Sequence, residues 1–408
     1  MPLGRIEWQR VLGIAALQGT MTLAWVIYAF YLPELLMDLG FDRSLALVLL
    51  NLEHLLEVAI EPTFGALSDR SQRRLGTRLP WIGLGVILAA TLLLLLPAIA
   101  FFGSPSQAWR WLLPILAVAW AGAMAIFRSP TLVLLGRAAP QPQLPLAASC
   151  LTLVQQLVGS LRFTAYGFIL GLGPFITFAI GSLALLLAAA GLRVVTPPEP
   201  PVLAPASPLP RLNKRAFVLL VGTAIALGWS LRFSLAALGQ TSAQWLGDRA
   251  GLGMLTFSLL AALAALPAGA LASRWDNTRA MAAGATATGL LILAVCFAPS
   301  LVLAAIALVP LSFAFSLTLN GAVPFVLNLV PPERAGLALG AYFGALGGGL
   351  SFFDLTWSSV TAQPDQALGG ALAFIAASAL IALTLKVPAD PAIAPQSPPA
   401  SGPPTARS

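Results

Sequence analysis

Apolar runs of membrane-spanning length recur along the whole chain, each interrupted by proline, glycine or a charged residue. About 20 consecutive apolar residues suffice for a helix to cross the hydrocarbon core of a bilayer. The pattern predicts twelve helices near residues 11–36, 45–67, 79–101, 111–135, 145–169, 171–195, 214–238, 252–273, 278–298, 300–329, 335–360 and 367–387. No A-x-A cleavage pattern follows the first run, so it is expected to be a retained helix rather than a signal peptide. Two stretches break the pattern. Residues 196–213 hold seven prolines, among them Pro197, Pro200 and Pro208, and read as an extended linker. Residues 388–408 are again proline-rich and read as a disordered tail. The expected organisation is a six-helix bundle over 1–195, the linker over 196–213, a second six-helix bundle over 214–387, and the tail over 388–408.

An internal repeat supports that division. Gly65-Ala66-Leu67-Ser68-Asp69-Arg70 closes the second helix, and Gly269-Ala270-Leu271-Ala272-Ser273-Arg274 closes the eighth, 204 residues further on. Each copy precedes a basic turn. Two related halves in the same order are the pattern of parallel-repeat transporters.

Composition narrows the class. The chain of 408 residues is 58% hydrophobic and 9% charged, whereas a water-soluble domain carries roughly 25% charged residues. A soluble multidomain enzyme is excluded, since this chain cannot cover a wet surface. The net charge of +7 is a topology signal rather than a nucleic-acid footprint. With the N-terminus inside, 16 of the 22 Lys and Arg fall in inside segments, three in outside loops and three within spans. By the positive-inside rule both termini are expected in the cytoplasm, of a bacterial plasma (inner) membrane. A single histidine and two isolated cysteines, Cys150 and Cys296, exclude a His/Cys metal centre. No Walker loop and no nucleophile–base pair appear, so neither an enzyme nor a resident cofactor is expected.

Ionisable residues inside spans are costly and therefore functional candidates. The second helix holds Glu53, His54, Glu57 and Glu61. The glutamates recur every four residues, one stripe of about 12 Å at 1.5 Å per residue. Three neighbouring carboxylates in low dielectric cannot all stay ionised without partners, as a proton-coupled carrier requires. His54 lies three residues from Glu57, within reach for sharing a proton. Arg128 in the fourth helix lies at the depth of Glu61 and is a candidate counter-ion, given the adjacency of helices 2 and 4 that the resemblance described below implies. It would hold Glu61 ionised and leave Glu57 or Glu53 to carry the proton; the alternative is that these residues only lock two helices together.

The run Glu57-Val58-Ala59-Ile60-Glu61-Pro62-Thr63-Phe64-Gly65-Ala66-Leu67-Ser68-Asp69-Arg70 and the turn that continues through Arg74, Gly76 and Arg78 to Pro80 resemble the major facilitator superfamily. More narrowly, they resemble the glycoside–pentoside–hexuronide cation symporters and related sucrose carriers. The resemblance is strong over residues 50–82 only. It implies an all-α membrane protein of twelve transmembrane helices in two pseudo-symmetric six-helix bundles. It also implies alternating access, a small-molecule solute of sugar or polyhydroxy type, and a gating turn at Gly65, Asp69, Arg70, Arg74, Gly76 and Arg78 that stabilises the outward-open state. The chain departs from the pattern: both helix-2 acids are Glu rather than Asp, Thr77 replaces a basic residue, and Arg128 stands where sodium-coupled relatives carry an acid. Protons are therefore the expected coupling ion and sodium the less favoured one.

Solute contacts are expected from Gln18, Trp25 and Tyr28 in helix 1, Gln155 and Arg162 in helix 5, Arg232 in helix 7, Asn320 in helix 10 and Asp354 in helix 11. Amides suit hydroxyl groups and aromatic rings suit a pyranose face, although tryptophans also populate membrane interfaces and amides also join helices. Arg232 with Asp354, and Glu34 with Arg162, are candidate ion pairs near the outer face. The chain is expected to work as a monomer in the lipid bilayer, with a solute and protons as partners and no nucleic acid. Two other functions fit the same residues: a proton-antiport exporter of a lipophilic or metabolic compound, and a non-transporting membrane assembly or pigment-delivery factor.

Overall fold

A computed structural model describes residues 5–102, 107–197, 212–357 and 359–387. Most of the expected linker and the whole expected tail lie outside the described residues. Among the described residues are twelve long helices: α1 Trp8–Asp38, α2 Ser44–Leu75, α3 Leu79–Phe102, α4 Leu112–Val133, α5 Leu144–Gly159, α6 Pro174–Val195, α7 Lys214–Leu246, α8 Ala250–Arg274, α9 Asn277–Cys296, α10 Leu301–Leu329, α11 Ala335–Thr356 and α12 Gln363–Thr384.

Local chemistry sets the ends. Asn213 caps α7 by accepting from the amides of Arg215 and Ala216, and Asp276 caps α9 through the amide of Arg279; each satisfies donors that a helix N-terminus leaves free. The second helix runs past its apolar stretch through Asp69 and Arg74 and stops at Gly76, whose φ of 69° is the left-handed cap that glycine adopts at no steric cost. The span predicted as continuous over 145–169 is broken. After Gly159 come two short pieces, Leu161–Thr164 and Tyr166–Gly171. Ser160 turns its hydroxyl back onto the Leu157 carbonyl at 2.7 Å, a bond that competes with the helix ladder.

The surface is that of a membrane protein. Leu47, Ile87, Phe168, Leu187, Leu263, Val302 and Leu372 are all exposed, which only a lipid solvent makes favourable. Among the described residues ten stretches are long and apolar enough to cross a membrane, and one of them, Lys214–Arg274, contains both α7 and α8. The second helix is not among them, because carboxylates and arginines interrupt it.

Packing follows a pseudo-symmetric plan. In the first six helices α1 packs on α5 and α6, α3 on α4 and α6, and α2 on α4; in the second six the same pairs recur as α7 with α11 and α12, α9 with α10 and α12, and α8 with α10. Two seams join the sets, α2 with α11 and α5 with α8, and these also correspond under the repeat. The α2–α11 seam is the most extensive helix pair in the molecule. It is built on small residues, as membrane helix interfaces are when backbones must approach closely. A Cβ on Gly336 would strike the Gly65 carbonyl, and one on Gly340 would strike the Glu61 carbonyl. At its far end the Ser351 hydroxyl donates to the Asn51 carbonyl at 2.8 Å. The α5–α8 seam begins at Ser273 and Leu146, and beyond the break the short piece Leu161–Thr164 continues it, where Gly251 of α8 approaches the Phe163 carbonyl. Both seams are closed over their length.

Candidate functional site

Because glutamates recur at every fourth position, α2 presents Glu53, Glu57 and Glu61 on one face, and all three are buried. Glu61 meets the expected partner. Arg128 on α4 donates from Nη1 to Glu61 Oε1 at 3.1 Å, and the same nitrogen lies 3.6 Å from Glu57 Oε2. Two carboxylates therefore share one guanidinium. The adjacent Ser129 hydroxyl donates to the Glu61 carbonyl at 3.3 Å, which fixes the register of α4 on α2. His54 Nδ1 lies 3.6 Å from Glu57 Oε2, an ion-pair distance when the ring is protonated.

Two partners were not legible in the sequence. The Tyr28 hydroxyl donates to Glu53 Oε1, so Tyr28 is tied to the carboxylate stripe. Phe343 on α11 places its ring 4.9 Å from the Arg128 guanidinium carbon, a cation–π contact across the seam. On the same helix, Gly347 leaves room for the Glu57 carboxylate, since a Cβ there would lie 2.5 Å from Oε2. The charge cluster thus sits between α2, α4 and the glycine face of α11. Around its outer part, Trp25 stacks on His54 at 6.4 Å and meets Trp120 edge-on at 4.8 Å, while Tyr28 lies 4.3 Å from Trp120. Trp120 Nε1, Glu53 Oε2 and Gln18 Oε1 are buried without a hydrogen-bond partner among the described residues.

The second half lacks these charges. The positions 204 residues after Glu53, Glu57 and Glu61 are Phe257, Ala261 and Ala265. There Ser316 donates to the Ala261 carbonyl at 2.6 Å and Asn320 to the Ala265 carbonyl at 2.7 Å. Asn320, an expected solute contact, is fully buried and joins α10 to α8 through this bond, while its Oδ1 has no hydrogen-bond partner among the described residues. An amide in an apolar bundle lowers its free energy by finding a backbone acceptor.

At the arginine-rich end the turn residues divide. Asp69 accepts from Arg78 Nη1 at 2.6 Å and from the amides of Gly336 and Leu337, each at 2.9 Å. Its carboxylate thereby caps the N-terminus of α11 across the α2–α11 seam. Burial pushes the Asp69 carboxyl above its ordinary value, and Arg78 and the two amides pull it back down. Arg78 also donates to the Ser68 hydroxyl at 2.8 Å. In the repeat, Ser273 stands where Asp69 does, and its hydroxyl accepts from the Leu146 amide at the start of α5 at 3.1 Å. Gly65 and Gly76 supply close approach and the helix stop. Arg70 and Arg74 are exposed and make no cross-seam contact among the described residues, because α2 turns them away from α11.

At the opposite end Arg232 and Asp354 form the expected pair, bidentate at 2.7 and 2.6 Å, between α7 and α11. The expected Glu34–Arg162 pair does not form. Glu34 instead accepts from Tyr166 at 3.2 Å, since the break after Gly159 redirects the chain, and Arg162 has no ion-pair partner among the described residues. Gln155 is exposed on α5. Among the described residues there is no group of three or more His, Cys, Asp or Glu able to hold a metal ion.

Two six-helix sets with lipid-facing apolar surfaces and a carboxylate stripe on α2 are the architecture of a multi-pass membrane protein. The Major Facilitator Superfamily family model matches residues 14–353, and the chain belongs to that superfamily. No curated protein matches it in sequence. Among solved structures it is similar to a bacterial homologue of the iron transporter ferroportin in an outward-facing state (17% identity, 94% of this chain and 100% of that one, TM-score 0.72). It is also similar to the E. coli fucose:proton symporter FucP (14%, 93% and 99%, TM-score 0.63) and to the human organic anion transporter MFSD10 (17%, 94% and 99%, TM-score 0.63). At such identities the likeness concerns the fold.

Proposed function

We propose that this chain is a proton-coupled secondary transporter that moves a small solute by alternating access, with the Glu57–Arg128–Glu61 cluster as its coupling site. The observation that carries this reading is one guanidinium shared by two buried carboxylates at a seam between the halves. One cation balances one carboxylate, so the second is stable in low dielectric only when protonated. Arg128 holds Glu61, Glu57 takes and releases the proton with His54 as its neighbour, and Glu53 is held by Tyr28. The contacts of Phe343 and Gly347 with this cluster link its charge state to the packing of α2 on α11.

The solute class rests on the resemblance of residues 50–82 to the glycoside–pentoside–hexuronide symporters and sucrose carriers, and is a sugar or related polyhydroxy compound. The three structural neighbours are named for fucose, iron and organic anions, so the shared fold sets no substrate. The proposed setting is a bacterial plasma membrane with both termini and the Asp69–Arg78 turn on the cytoplasmic side, and a monomer as the working unit.

The test is uptake into proteoliposomes under an imposed pH gradient across a panel of sugars and other solutes. Sugar-triggered alkalinisation outside is the expected result. Glu57→Gln and Glu61→Gln should each abolish uphill, proton-dependent uptake; its persistence in both would refute the coupling site. Proton movement opposite to the solute would indicate the exporter instead. Absence of flux with a co-purifying pigment or protein would indicate the assembly factor.

A further inference from the structure

Glu53 is a buried carboxyl that the Arg128 cluster does not use. It is 1% exposed, and among the described residues no cation pairs with it. The ionisable groups of the helices around it are engaged in other ways. On α1 Tyr28 donates to its Oε1 as a neutral hydroxyl, while Tyr31 and Glu34 bond to Ile169 and Tyr166. On α2 His54 turns Nδ1 to Glu57, itself a carboxyl one turn away. Arg128, the single ionisable residue of α4, lies against Glu57 and Glu61. On α11 residues 343–353 include no ionisable group, and Asp354 beyond them pairs with Arg232. Three glutamates therefore share one guanidinium and one imidazole, and even with His54 protonated Glu53 is the carboxyl left over. An ionised Glu53 would hold an unpaired charge in low dielectric, whereas a protonated one leaves at most a neutral hydroxyl unsatisfied. Its Oε2 is buried without a partner among the described residues, as is Nε1 of Trp120, whose ring lies 4.3 Å from Tyr28. The surroundings of this carboxyl offer neutral donors and no positive charge.

Glu53 is also the member of the stripe farthest from the Asp69–Arg78 turn, about 12 Å from Glu61 at 1.5 Å per residue. Two residues before it, the Asn51 carbonyl accepts from Ser351 of α11 at 2.8 Å, the bond that closes the α2–α11 seam at this end. An opening that starts at this bond reaches Glu53 before Glu57 or Glu61. We infer that Glu53 holds a second proton, exchanged through the Asn51–Ser351 end of the seam and separate from the Arg128 pair, so that the α2 stripe cycles two protons rather than one. On opening, the Glu53 O–H bond breaks, the proton passes to water, and the carboxylate keeps its bond from Tyr28; on closure water returns the proton. The coupling role of this proton rests on the proposal for Glu57, whereas its presence on Glu53 does not.

The experiment needs no solute, because its probe is heavy water. Infrared spectra of the full-length protein in liposomes at neutral pH record the C=O band of each protonated carboxyl, which shifts on deuteration. One such band should vanish in Glu53→Gln and a different one in Glu57→Gln. Glu53→Asp keeps a carboxyl and should retain the first band at a shifted position, which separates loss of the proton from loss of folding. Ser351→Ala removes the seam bond and should speed deuteration of the Glu53 band about tenfold, the effect of one hydrogen bond on an opening equilibrium. No band lost in Glu53→Gln means an ionised Glu53 and overturns the inference. A band deuterated at the same rate in the parent and in Ser351→Ala makes Glu53 a fixed brace for Tyr28 and also overturns it. A Glu53 band that behaves as expected, with no band lost in Glu57→Gln, refutes the coupling role of Glu57 instead, so the two failures are distinct.

Discussion

Replacing Asp69 by Asn probes the seam that closes the arginine-rich end. The carboxylate accepts three hydrogen bonds, from Arg78 and from the amides of Gly336 and Leu337. One carboxylate oxygen accepts from both Arg78 and Gly336 and the other from Leu337. An asparagine oxygen at the first of these positions keeps those two bonds without their ionic strength, while its NH2 faces the Leu337 amide and that bond is lost. Hydrogen bonds to a charged group contribute about 1.5–3 kcal/mol each. Part of that loss is offset because a buried carboxylate no longer needs desolvation. A net loss of about 3 kcal/mol from the closed arrangement shifts an open–closed equilibrium about a hundredfold, at about 1.4 kcal/mol per decade. The reporter is a single cysteine at Ala338, which is fully buried on α11, in a background where Cys150 and Cys296 are serine. Its labelling rate by a membrane-impermeant maleimide should rise about a hundredfold in the Asp69→Asn protein, in step with the population that exposes it. Arg74→Gln, which touches nothing across the seam, should leave the rate unchanged. A labelling rate identical in the Asp69→Asn protein and its parent would refute the view that this carboxylate holds the seam shut.

Three other outcomes follow from the geometry. Gly340→Ala should lower thermal stability by about 1–3 kcal/mol, because its Cβ meets the Glu61 backbone, while Gly83→Ala, with open space around it, should not; scanning calorimetry of the two proteins checks this. The exposed Arg232–Asp354 pair should contribute only about 0.2–1 kcal/mol in a double-mutant cycle; transport lost in each single charge reversal but restored by exchanging the charges would assign it a bracing role. Asn320→Leu should cost about 0.6–2 kcal/mol of stability with the solute profile intact, since the amide bonds to the Ala265 carbonyl; a changed solute preference in the uptake panel would return Asn320 to the cavity.

Much of this molecule is legible in its sequence because a bilayer permits few solutions. Backbone polar groups must be satisfied within the segment, so runs of about 20 apolar residues become helices. The repeat of Gly65–Arg70 at Gly269–Arg274 showed which helices correspond, and the four-residue spacing of Glu53, Glu57 and Glu61 placed them on one face. Depth paired Arg232 with Asp354, and depth together with the adjacency of helices 2 and 4 that the resemblance implies paired Arg128 with Glu61, since partners had to lie at one level of the membrane. What depth does not contain is azimuth: which way a helix turns its faces, and which neighbour it meets. Packing of twelve helices decided that Tyr28 joins Glu53, that Phe343 covers Arg128, and that Asn320 bonds to the α8 backbone. The break after Gly159, which redirects Tyr166 to Glu34 and leaves Arg162 without its expected partner, is equally a matter of tertiary structure. The sequence by itself determined the spans, the repeat and the depth of each charge, through hydrophobicity and helical period. Only the folded bundle determined that the carboxylate stripe lies against the glycine face of α11, because contacts between helices distant in the chain arise from side-chain shape in three dimensions.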